Sequence, residues 1–214
     1  LKVIFLNTKE EYKRVSVSTY THRKGMRDVP AVMMVAKELE IPTIRTVMKA
    51  GHALMPYTPL FHALGGVGVG RGTGDARLLT GTLKHLSEEG YPSAFFNEGF
   101  RVRPYDRHGN VILGSDGEPI STRKVQGVKP GAVRVSLEAD IPYLPIALAG
   151  TAIDDVIEAK RVPIVACVAP FLYPADFMHF DDPVREMQTA ALESQQAALN
   201  LAYLDRDSYF ISVA

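Results

Sequence analysis

Apolar side chains occur along this chain in short runs, separated by segments that repeat with a helical period. Arg14 to Thr19 alternates β-branched and polar residues, the two-residue period of a strand. After the loop 20–27, Asp28-Val-Pro-Ala-Val-Met-Met-Val-Ala-Lys-Glu-Leu reads as a helix. Asp28 stands at its start, and Pro30 falls in the first turn, where a missing N–H costs nothing. Thr43–Met48 and Gly66–Gly70 read as strands, Asp75–Glu89 as a helix closed by Gly90, and Ser93–Phe96 as the next strand. Between Val102 and Val128 the chain turns polar. There His108-Gly-Asn and Ser115-Asp-Gly-Glu are turn signals bracketing Val111-Ile-Leu, which predicts a small hairpin insertion near 102–128. Ala132–Ala139 reads as a helix, and Ile141–Ala149 and Val162–Val168 as buried strands. Asp181-Asp-Pro-Val opens a last helix to about Leu201, its stripe carried by Val184, Met187, Ala191, Leu192 and Ala198. Strands alternating with helices predict an α/β layer architecture.

Length and charge narrow the classes. A chain of 214 residues suits one domain, 1–214. Lys plus Arg and Asp plus Glu both number 24, so no broad basic field invites nucleic acid. The single cysteine, Cys167, sits in the apolar run Val162-Pro-Ile-Val-Ala-Cys-Val168, which reads as a small buried side chain and excludes a disulfide framework. One thiol is compatible with a reducing, cytoplasmic setting, and the N-terminal apolar run is too short for a secretory h-region. The uncharged stretch 50–70 holds Pro56, Pro59, His52, His62 and several glycines, so it does not read as a spanning helix. Met55, Tyr57, Leu60 and Phe61 beside Lys49 suit either a weak anchor in the headgroup region, peripheral on the inner face of a membrane, or core packing.

Two constellations carry chemistry. In Thr21-His-Arg-Lys-Gly-Met-Arg-Asp28, a histidine past a strand end precedes a carboxylate at a helix start. The carboxylate can fix the imidazole tautomer and leave its other nitrogen free to take a proton. In Ala94-Phe-Phe-Asn-Glu-Gly-Phe-Arg101, a glycine lets backbone N–H groups approach an anion, and Arg101 presents a fork suited to phosphate. Each taken singly is also an ordinary loop. The glycine-rich stretch 65–74 satisfies neither G-x-G-x-x-G nor a P-loop. The six histidines show no H-E-x-x-H, and no G-x-S-x-G elbow is present.

In order along the chain come His22 and Asp28, the Gly-rich segment ending in Arg71, the Phe96-Asn-Glu-Gly-Phe-Arg101 block, Lys129-Pro-Gly, and Ile141-Pro-Tyr-Leu-Pro-Ile-Ala-Leu-Ala. Over residues 14 to 150 this resembles the glycerol-phosphate and lysophospholipid acyltransferase family, with its H-x-x-x-x-D, Gly-and-Arg, F-P-E-G-T-R and V-P-x-x-P blocks. The resemblance implies a mixed, largely parallel central sheet flanked by helices. It implies transfer of a fatty acyl group from acyl-CoA or acyl carrier protein, as co-substrate and without a bound cofactor, to a lysophospholipid or glycerol-phosphate hydroxyl. His22 would be the general base and Asp28 its orienting partner. Arg71, Glu98, Gly99 and Arg101 would lie near the acceptor's phosphate, with Lys49 adding positive charge.

Three departures bear on this. Five residues rather than four separate His22 from Asp28, Asn97 and Phe100 replace the Pro and Thr of the third block, and the excursion after Arg101 is long. They leave open a different lipid acceptor, or a lipid-binding module on the same fold with altered chemistry.

Overall fold

A short apolar run becomes a strand only when neighbouring strands satisfy its backbone, and the neighbours here come from distant parts of the chain. The computed structural model describes residues 2–7, 16–21, 28–41, 44–49, 65–69, 76–96, 105–106, 108, 110–114, 117–151 and 163–213. Its strands are β1 (Lys2–Phe5), β2 (Val17–Tyr20), β3 (Arg45–Lys49), β4 (Val67–Val69), β5 (Ser93–Phe96), β6 (Tyr143–Ala149) and β7 (Val165–Val168). Among the described residues they form one seven-stranded sheet in the order β1-β7-β6-β2-β5-β3-β4. Strands β2 to β6 run parallel, β7 is antiparallel to β6, and β1 is parallel to β7. The sheet is therefore mixed and largely parallel, as expected.

Four α-helices are described: α1 (Asp28–Glu38), α2 (Ala76–Glu88), α3 (Pro130–Ala139) and α4 (Pro183–Val213). Strand alternation sends side chains to two cores. On one face Tyr20, Leu144, Ile146, Leu148, Ala166 and Val168 pack with Ala31, Val32, Val35 and Leu39 of α1. On the other, Ala147, Ala149, Val165 and Cys167 meet Ala198, Leu199, Ala202 and Tyr203 of α4. Beside them Val17 and Tyr143 meet Leu83 of α2, Val133 and Val135 of α3, and Met187 of α4. Cover on both faces is why β6 is apolar at nearly every position and buried throughout. Each Leu, Ile or Val so buried contributes roughly 1.5–3 kcal/mol.

Local chemistry sets several boundaries. Helix α2 stops where Gly90 takes a φ of 85°, letting the Tyr91 N–H reach Leu86 O at 2.8 Å. Helix α4 opens with the Asp182 carboxylate accepting the Arg185 N–H at 3.1 Å, followed directly by Pro183. It continues past the expected end at Leu201 to Val213, because Ala202, Tyr203 and Arg206 prolong the buried face. Strand β1, which the sequence pattern does not predict, exists through its pairing with β7, Lys2 opposite Val165.

Among the described residues of the excursion near 102–128, two antiparallel bridges follow in succession, Tyr105–Val111 and Leu113–Pro119. Asp106 organises the first by accepting the His108 and Asn110 N–H groups at 2.7 and 2.9 Å. The returning chain is fastened to α4: Gln196 Oε1 accepts the Val125 N–H at 2.8 Å, and Arg123 pairs with Asp207 at 2.8 Å. Among the described residues, no helix is long and apolar enough to cross a membrane.

Candidate active site at the strand ends

Parallel strands put their C-terminal ends on one edge of the sheet, where side chains from separate parts of the sequence can meet. The register makes that edge compact. Tyr20 pairs with Phe96 on one side and Ile146 on the other, Thr46 with Ala94, and Lys49 with Val69. Tyr20, Phe96, Lys49 and Val69 thus end β2, β5, β3 and β4 at a common edge. Of the residues singled out from sequence, Lys49 is the last residue of β3 and Asp28 the first of α1. His22, Arg71, Glu98, Gly99 and Arg101 lie outside the described residues, as do His52, His62, Met55, Tyr57, Leu60 and Phe61. In sequence, His22 stands two positions after the end of β2, Arg71 two after β4, and Glu98 two after β5.

Asp28 is completely buried. A carboxylate needs strong partners to be stable there, and the first turn of α1 offers N–H groups and the positive end of the helix dipole. Tyr20 is also fully buried, with its ring 6.4 Å from that of Phe96. Burial holds its phenol well above the ordinary tyrosine range, against a smaller lowering by the Ser18 hydroxyl.

The β6 side of this edge is closed by Gly150, whose φ is 85°. A β-carbon there would come within 2.7 Å of Pro163 O and 3.3 Å of Nε of Arg206, a buried arginine from α4. Two side chains that the sequence reading passed over, Thr21 and Gln195, are fully buried and bond backbone groups near the end of β2, Thr21 at Leu148 and Gln195 at Thr19 and Ile146. Among the described residues no group of His, Cys, Asp and Glu is arranged to hold a metal ion. Chemically, the described residues offer a buried carboxylate at the start of α1, and the stretches of sequence that follow β2, β4 and β5 contain a histidine and two arginines. That is material for proton transfer next to an anion.

A family model described as Acyltransferase matches residues 4–149. Among solved structures, the chain is similar to the 1-acyl-sn-glycerophosphate (LPA) acyltransferase PlsC from Thermotoga maritima. The TM-score is 0.61 at 17% identity, over 94% of this chain and 72% of that one. At this identity the likeness speaks for the fold, the mixed sheet with flanking helices. No curated protein sequence matches the chain.

Proposed function

Because this chain belongs to the acyltransferase family, we propose that it moves a fatty acyl group from a thioester, acyl-CoA or acyl carrier protein, to a hydroxyl of a lysophospholipid or glycerol-phosphate acceptor. His22 takes the proton of the acceptor hydroxyl while its oxygen attacks the thioester carbonyl carbon. The tetrahedral intermediate collapses with cleavage of the C–S bond, and the departing thiolate receives the proton from the His22 imidazolium. The acyl group passes directly to the acceptor, with no acyl-enzyme. Asp28 accepts the other imidazole N–H, fixing the tautomer and balancing the charge that His22 gains. Arg71, Glu98, Gly99 and Arg101, with Lys49, form the acceptor side, the arginines gripping its phosphate.

The observation that carries this reading is the register. Strands β2, β3, β4 and β5 end at one edge, and in sequence each motif residue except Asp28, which opens α1, stands at or within five positions of one of those ends. The buried carboxylate of Asp28 adds to it, since burial strengthens its interaction with a nearby imidazolium. The acceptor named for the Thermotoga relative, 1-acyl-sn-glycerophosphate, is the first to try. The test is thiol release from acyl-CoA over a panel of lysophospholipids and phosphorylated glycerols, comparing the protein with His22→Ala. The reading expects release with at least one phosphorylated acceptor, lost in the variant. Equal release by both folded proteins on every acceptor overturns it.

A further inference from the structure

A general base is useful only where its backbone is held, and the end of β2 is held in an unusual way. The parallel ladder between β2 and β6 is regular up to this point: the Val17 N–H donates to Pro142 O at 2.9 Å and the Thr21 N–H to Ile146 O at 3.3 Å. Its alternation would send the next rung from the Leu148 N–H to the Thr21 carbonyl. That N–H donates instead to Thr21 Oγ1 at 2.9 Å, while the Thr21 hydroxyl donates to Leu148 O at 3.4 Å. A side chain has taken over the rung, and β2 ends at Tyr20.

Two residues earlier on each strand, a second group enters from α4. Gln195 Nε2 donates to Ile146 O at 2.9 Å and to Thr19 O at 3.3 Å, so it touches both strands at once. Thr19, Thr21, Ile146, Leu148 and Gln195 are all fully buried. Gln195 also breaks an otherwise apolar row along α4, formed by Met187, Ala191, Ala198 and Ala202. A buried amide in such a row is retained at a desolvation cost unless its hydrogen bonds are made, and here they are made to β6 and to β2, the strand that precedes His22 in sequence.

We propose that Thr21 and Gln195 are positioning residues for the acyl-transfer reaction, together fixing the point and direction in which the chain leaves β2 to present His22. This rests on the reading of His22 as general base. It extends the site to α4, beyond the stretch 14–150 that carries the motif blocks.

The experiment is steady-state thiol release with both substrates varied, on Thr21→Val, Thr21→Ser, Gln195→Met and His22→Ala. Valine keeps the shape of threonine and removes the hydroxyl, and methionine nearly keeps that of glutamine. A misplacement of about 1 Å can lower a rate on the order of 10²-fold. The expected result for Thr21→Val and Gln195→Met is a kcat reduced roughly 10- to 100-fold, with both KM values within about twofold of the parent. Thr21→Ser restores most of the loss. Where Thr21→Val does not fold, Gln195→Met carries the expected loss of kcat, and Thr21→Ser is expected to stay close to the parent.

Unchanged kcat in folded Thr21→Val or Gln195→Met overturns the proposal, as does a loss that falls equally on KM or that serine does not recover. His22→Ala separates the two levels. If it is inactive while Thr21→Val is fully active, only the positioning role fails; if it is fully active, the base assignment fails with it.

Discussion

Glycines 90 and 150 share a φ of 85° and differ in surroundings, which makes them a matched pair for testing how the β6 edge is packed. A β-carbon on Gly90 would meet nothing within 4 Å, whereas on Gly150 it would sit 2.7 Å from the backbone oxygen of Pro163 and 3.3 Å from buried Arg206 Nε. For Gly90→Ala the left-handed conformation costs roughly 1–2 kcal/mol, offset in part by the lower entropy of the unfolded alanine chain. The net is about 1 kcal/mol. Gly150→Ala bears the same dihedral term and adds an overpacking cost of roughly 1–3 kcal/mol, because a strand end and a buried side chain must shift. A domain of this size loses roughly 2–4 °C of Tm per kcal/mol. Thermal unfolding followed by circular dichroism should show Gly90→Ala a few degrees below the parent and Gly150→Ala about 5–15 °C below it. If the two variants melt within about 2 °C of each other, the close packing of Gly150 against Pro163 and Arg206 is refuted.

Two further outcomes follow from the structure and the proposed site. Burial pushes the Cys167 thiol from its ordinary value near 9.0 up to about 11, so the stability it contributes is full below about pH 9 and is lost as pH rises through 11. Cys167→Ala should flatten the fall of Tm over that window, and the native thiol should react with a disulfide reagent at pH 8 only after denaturant is added; a fast native reaction would contradict its burial. Arg101→Ala should raise KM for a phosphorylated acceptor roughly 10- to 100-fold, the loss of a charge-assisted hydrogen bond, and leave the donor KM unchanged. An unaltered acceptor KM removes Arg101 from the phosphate site.

What the sequence reveals of this fold follows the range of the interactions involved. Strand β5 is legible to the residue because Gly90 stops the preceding helix locally, and α4 announces itself through Asp182 and Pro183. Strand β1 is invisible because four terminal residues acquire a strand's hydrogen bonds only from β7, more than 160 positions away, and the reversal of β7 leaves no local mark either. The far half of α4 is missed for a related reason: Arg206 reads as a surface residue and is buried by contacts around Gly150 and Tyr203.

The candidate site divides in the same way. His22, Asp28 and the residues around Arg71 and Arg101 are legible as residue types in a given order, and what the sheet register adds is that the strands preceding His22, Arg71 and Arg101 in sequence end at one edge. Thr21 and Gln195 are not legible as functional residues, since a hydroxyl that replaces a ladder rung looks like any strand threonine. Gln195 did leave a signal, a polar residue at a core position of an apolar helical row.

The central claim is that His22 and Asp28 work as one unit at the end of β2. Its most direct test is the kcat for thiol release with the preferred acceptor in the parent, His22→Ala, Asp28→Ala and the double variant, each shown to be folded. Groups acting as a unit are non-additive, so each single change should lower kcat by roughly 10²–10⁴-fold and the double variant should be no slower than His22→Ala. Parental turnover in His22→Ala, or losses that multiply in the double variant, would contradict it.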